Sequence, residues 1–135
     1  MSFQKNQHRY LGLMTRFAES KLSGSLFVAQ FMALWRTDRD ADYEIKKSWN
    51  VPYDEMLIIS LRKGEITKEE FARKWNALWG LSKTDQLLRD LLDKVFTACD
   101  VFSPDPDARE DYEYSEDELR TFVMSSLSKL KDICY

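Results

Sequence analysis

Between Thr84 and Val101 the apolar residues Leu87, Leu88, Leu91, Leu92, Val95, Phe96 and Cys99 recur at intervals of three and four, while Asp85, Arg89, Asp90, Asp93 and Lys94 fall elsewhere on the wheel. An α-helix with one face against a core satisfies that stripe, whereas a half-buried strand would alternate every second residue. The same period continues on both sides of it. Leu13, Met14, Phe17 and Ala18 predict a helix from Tyr10 to about Leu22, and Ser23 is a suitable N-cap for a second, GSLFVAQFMALW. That helix is apolar nearly all round, which predicts a central, well-buried position. Residues 37–50 are polar and read less clearly. Pro52 suits the first turn of a helix running to about Lys63, where Gly64 ends it. Thr67 and Glu70 form a capping box for the next helix, and Ser115 and Glu118 form another for the last. Four Gly and three Pro in 135 residues are too few for the turns of an all-β protein. The expectation is an all-α antiparallel bundle of five to six helices in a single domain, residues 1–135.

The chain repeats at an offset of 44. Leu13, Phe17, Leu22, Ser23, Phe27 and Phe31 align with Leu57, Leu61, Ile66, Thr67, Phe71 and Trp75, and Ala33-Leu34-Trp35 aligns with Ala77-Leu78-Trp79. Each copy is a helix, a short turn, a hydroxyl N-cap and a second helix. Either an internal repeat or chance likeness between amphipathic hairpins accounts for this. Trp35, Trp75 and Trp79 lie on apolar stripes and are expected in the core.

Little in the sequence suggests catalysis. His8 is the one histidine and lies near a terminus expected to fray. A His-based triad or a zinc site would need partners that the sequence lacks. There is no glycine-rich phosphate loop. Asp105-Pro-Asp107 offers two oxygen ligands but lacks the glycine and spacing of a calcium loop. Cys99 and Cys134 make neither a CxxC pair nor a disulfide framework. The expectation is a non-enzyme without cofactor or metal. No apolar signal region opens the sequence, and Leu26–Trp35 is too short to cross a bilayer, so a cytoplasmic protein without a membrane partner is expected.

Charge is the unusual feature. Residues 1–63 carry ten Lys/Arg against seven Asp/Glu, whereas residues 100–135 carry four against ten. Within residues 98–118 stand nine acids, one Arg and two prolines. A solvated acidic surface and a binding site for a basic partner both fit; direct nucleic-acid binding does not, because phosphates need a basic surface. The acids also differ among themselves. Glu116, Asp117 and Glu118 occupy the first turn of the last helix, where the helix dipole favours them. Asp100 falls in the last turn of the preceding helix, where the dipole does not. Asp105 and Asp107 follow Pro104 and Pro106, whose rings stiffen the turn and lower the entropy lost on binding. Tyr114 precedes the Ser115 cap and reads as a staple to Leu119. Tyr112, among charges, is an interface candidate.

The stretch GEITKEEFARKWNALW followed by VFTACDVFSPDPDAREDYEYSEDELRTFV resembles the colicin D immunity protein family, and related immunity proteins of contact-dependent growth inhibition systems look similar. The resemblance rests on Ile66-Thr67 with Phe71, on Phe102-x-Pro104-Asp105-x-Asp107 with Arg109, on the Tyr-rich acidic connection and on Glu118-Leu119-Arg120. It covers residues 54–135, leaving 1–53 as additional N-terminal helices. It implies a helical bundle that binds a cognate toxin nuclease, a basic protein that cuts tRNA in the namesake case. Acids of the immunity protein would cover the toxin's active site in place of RNA phosphates. By position that role falls to Asp100, Asp105 and Asp107, and the surrounding Glu110, Asp111, Tyr112 and Glu113 complete the expected partner-binding set. Position 103 is Ser where the family commonly has an acid. A monomer is expected. The rival reading is a helical adaptor for some other basic protein, and a third is an enzyme using a carboxylate pair or metal.

Overall fold

A computed structural model describes residues 2–48, 53–78 and 83–134, with side chains outside 45–56, 76–83 and 134. The described residues form α1 (Ser2–Lys5), α2 (Gln7–Ala18), α3 (Gly24–Ser48), α4 (Tyr53–Arg62), α5 (Lys68–Leu78), α6 (Lys83–Asp100) and α7 (Glu116–Cys134). The all-α bundle is as expected, with one short helix more than the sequence suggested. Pro52, Trp79 and the Cys134 side chain lie outside the described residues.

The core is built by α1, α2, α3, α6 and α7. Seven rings run through it in contact. Phe17 stacks on Phe27 at 4.5 Å, Phe27 meets Phe31, and Phe31 meets Tyr10 edge-on; Phe3 links Tyr10 to Trp35, which stacks on Phe96 at 4.0 Å. Offset and edge-on pairs of this kind add to the burial of large apolar area. The predicted stripe of α6 holds in its main part: Leu88, Leu91, Leu92, Val95 and Cys99 are buried. Leu87, at the edge of the stripe, is 51% exposed, and Ala98 is buried in the face that α6 turns to its neighbours.

The described N-terminal residues are tied to the core, contrary to the frayed end expected from the sequence. Phe3 is buried, and Ser2 N–H donates to Asp42 Oδ1 at 2.8 Å. Asn6 Nδ2 donates to Asp38 Oδ1 at 2.7 Å, and the Tyr10 hydroxyl donates to Asp38 Oδ2 at 2.6 Å. Burial and the adjacent Asp38 push the Tyr10 phenol well above its usual range. These contacts explain why the polar stretch 37–48 continues α3. Asp38 and Asp42 are four residues apart, hence on one face, and both are buried acceptors for α1 and α2. The first half of α3 is not enclosed as expected. Phe27 and Phe31 are buried, but Leu26 is 54% exposed and Gln30 faces outward, since the other core helices lie to one side.

The two helical hairpins spaced by 44 residues close identically. Ser20 and Gly64 adopt left-handed φ values of 60° and 73°. Lys21 N–H bonds Arg16 O and Ser20 N–H bonds Phe17 O; Glu65 N–H bonds Ser60 O and Gly64 N–H bonds Leu61 O. This is the Schellman pattern that satisfies the last carbonyls of a helix. Ser23 and Thr67 then cap the following helices through Leu26 N–H and Glu70 N–H. Their surroundings differ. The α2–α3 hairpin is core, while α4 and α5 pack on each other, and within α5 Phe71 stacks on Trp75 one turn later. Trp75 is therefore half-buried in its own hairpin and not part of the core, contrary to expectation: a second stripe of the same pattern has no place in a core already filled by α2 and α3.

Candidate functional site

The acidic segment begins where α6 stops. After Asp100 the chain leaves the helix, and Phe102 pairs with Tyr114 in a parallel bridge. Ser103 N–H bonds Tyr114 O at 2.9 Å, and Tyr114 N–H bonds Val101 O at 2.8 Å. Residues 103–113 thus form a closed surface loop whose ends are pinned together.

Hydrogen bonds within the loop shape it. Asp105 Oδ1 accepts from Asp107 N–H at 3.0 Å, an Asx turn, and Ala108 N–H bonds Asp105 O. Glu113 N–H bonds Glu110 O, while Glu113 Oε1 accepts from Glu110 N–H at 2.9 Å. Arg109, the loop's one cation, reaches back through Nε to Ser103 O at 3.0 Å and is half-buried. Its charge is held against the loop's own backbone while Asp105, Asp107, Glu110 and Asp111 face solvent.

The foot of the loop is fixed as firmly. Ser115 and Glu118 make both bonds of the capping box, at 3.2 Å each. Tyr114 is half-buried, and its ring lies 6.2 Å from that of Phe122, a structural role as expected. Glu116 Oε1 accepts from Gly24 N–H, so the first residue of α7 caps the first turn of α3. A Cβ at position 24 would stand 2.6 Å from Glu116 Oε1 and 3.0 Å from Phe102 Cζ, so a larger residue there would displace the Glu116 carboxylate from this bond. Arg120 Nε donates to Phe17 O at 3.2 Å, and its guanidinium lies 4.8 Å from the centre of the Phe17 ring. The N-terminal helices therefore supply the floor on which the loop stands.

Of the seven candidate residues, Asp100 is exposed at the end of α6, and Asp105, Asp107, Glu110 and Asp111 are exposed on the loop. Tyr112 is 71% exposed, and Glu113 is half-buried. The fold brings 105–113 onto one excursion with Asp100 at its foot. It also separates them by duty: the carboxylates of Asp105 and Glu113 brace the loop. Sequence reasoning missed the brace from Arg109 and the tie from Glu116 to Gly24. The first had a signal, a lone cation among nine acids. The second joins residues 92 apart and had none.

Two further titratable groups lie nearby on α6. Burial raises the Asp93 carboxyl above its usual range, against the hydrogen bond it accepts from Trp35 Nε1 at 3.0 Å. Burial and the neighbouring Asp100 push the Cys99 thiol up to about 12, which leaves it inert at neutral pH. Among the described residues no three His, Cys, Asp or Glu side chains gather to hold a metal ion. No described helix is long and apolar enough to cross a membrane.

The family model for bacterial self-protective colicin-like immunity matches residues 56–130, more than half of the chain. The chain belongs to the colicin-like immunity family. The matched region of this immunity protein runs from α4 into α7 and includes the whole acidic loop. Its α1, α2 and α3 precede the match yet form much of the core. No curated protein and no solved structure matches the chain.

Proposed function

We propose that this immunity protein neutralises a cognate ribonuclease toxin, a tRNase by the resemblance, by laying the acidic loop over the toxin's basic active site. Carboxylates of Asp100, Asp105, Asp107, Glu110 and Asp111 stand in for RNA phosphates, with Tyr112 and Glu113 beside them. The observation that carries this reading is the loop itself: a pinned, internally bonded excursion whose one cation is turned inward while four acids are exposed on it and Asp100 at its foot. A pre-shaped loop loses little entropy on docking. Concentrated charge also speeds the encounter with a basic partner, which suits a protein that must reach the toxin before its substrate does. In this role the protein is an inhibitor acting in the cytoplasm and performs no catalysis.

The test reverses Asp107 and Asp111 to Lys together, since both are exposed and neither carboxylate braces the loop among the described contacts. Losing one partner of a desolvated charge pair costs about 2–5 kcal/mol, so inhibition of the nuclease should weaken at least about tenfold. The melting temperature should not move. Inhibition at wild-type concentrations would refute the phosphate-mimic role.

A further inference from the structure

Two hollows of about 350 and 400 Å³ lie along the seam between α6 and α7, a third of about 420 Å³ lies on α7 beside Tyr114, and all three share Phe122. Together they form one groove. On α6 it extends from Leu87 to Ala98, a rise of about 16 Å. Its upper part has an apolar floor of Ala98, Val101, Tyr114 and Phe122. Five acids but only two lysines stand along its walls.

We infer that this groove is the apolar half of the toxin interface and takes an apolar side chain, flanked by basic residues, from the toxin domain that meets the acidic loop. The inference rests on the proposed function and extends it. Continuity is the first reason. Tyr114 closes the acidic loop through its backbone and forms the groove wall with its ring, so a partner seated on the loop reaches the groove directly. Size is the second. A stable interface uses about 20–30 residues a side, with an apolar centre inside a polar rim. A loop of exposed acids has the rim and lacks the centre. Charge is the third: the acidic walls suit the same basic partner and disfavour an acidic one.

Thr97 and Thr121 line adjoining hollows that meet at Phe122; both are exposed, and their hydroxyls bond carbonyls of their own helices, Asp93 O and Asp117 O. Thr97→Trp fills the first hollow and substitutes no acidic residue. Binding is measured against the purified C-terminal domain of the protein encoded immediately upstream. Thr97→Trp should dissociate at least about tenfold faster while associating within about threefold of wild type, because short-range packing acts on the bound state. Asp107→Lys should differ by slowing association severalfold, in addition to the faster dissociation that follows from its lost charge pair. If Thr97→Trp lowers the melting temperature, Thr121→Trp, which fills the adjoining hollow, is measured in its place and must show the same faster dissociation. Wild-type binding with unchanged dissociation in the folded variant overturns the groove and leaves the loop reading intact. Failure of the wild-type protein to bind overturns both.

Discussion

Among the nine acids of residues 98–118, Glu116 is the one whose removal should be felt most by the fold and least by the toxin. It is the first residue of α7, yet Oε1 accepts from Gly24 N–H on α3 and Oε2 lies 3.5 Å from Arg120. Gly24 is buried, so Glu116→Ala leaves its N–H with no acceptor. A hydrogen bond to a charged group contributes about 1.5–3 kcal/mol. The half-exposed pair with Arg120 adds about 0.3–0.5 kcal/mol, and the favourable place at the helix N-terminus about 0.3–1 kcal/mol. These combine to about 2–4 kcal/mol. For a domain of this size that is a fall in melting temperature of about 8–16 °C. Glu116→Gln keeps an acceptor oxygen and should lose less than half as much. Asp117, one residue on, has a 97% exposed side chain that pairs with Arg120 and makes no bond to Gly24; Asp117→Ala should fall by only about 2–6 °C. Thermal melts by circular dichroism decide the matter, with toxin inhibition measured well below each transition and expected at wild-type strength. Glu116→Ala melting with wild type, or Asp117→Ala falling as far, would refute the reasoning.

Asp38→Ala should destabilise by about 2–4 kcal/mol in urea titrations, because it strands the Tyr10 hydroxyl and the Asn6 amide, and Asp38→Asn should recover part of the loss. Asp93→Asn keeps an acceptor for Trp35 and removes a carboxylate whose ionised form is disfavoured by burial. Since the folded state holds that proton more tightly than the unfolded state, wild-type stability is reduced above the raised pKa and recovers as pH falls through it. The variant should therefore melt at or above wild type at neutral pH, with its advantage shrinking toward acid, as melts across a pH series would show. In a Cys134→Ser background the remaining thiol, Cys99, should resist an aromatic disulfide reagent at neutral pH until denaturant is added.

Much of this protein is decided by short-range chemistry that a sequence displays. Apolar spacing of three and four residues makes α6 and α7 amphipathic wherever they pack. Thr67 caps α5, and Ser115 with Glu118 caps α7, through bonds that span three residues and need no tertiary partner. The repeated hairpin closure, with Ser20 and Gly64 both left-handed, is local in the same sense. The acidic loop was legible too, because charge density and prolines are properties of composition and order. What the tertiary structure alone decided are pairings between distant residues. Asp38 and Asp42 look like solvated acids on a polar stretch until α1 and α2 bring donors to them, and only then does a 25-residue α3 make physical sense. The two hairpins share a pattern, but one core has room for one of them, so Trp35 stacks within it and Trp75 does not. Three consecutive acids at the start of α7 are alike in charge and in helix position. What separates them is that Gly24, 92 residues away, places a buried N–H against Glu116 alone.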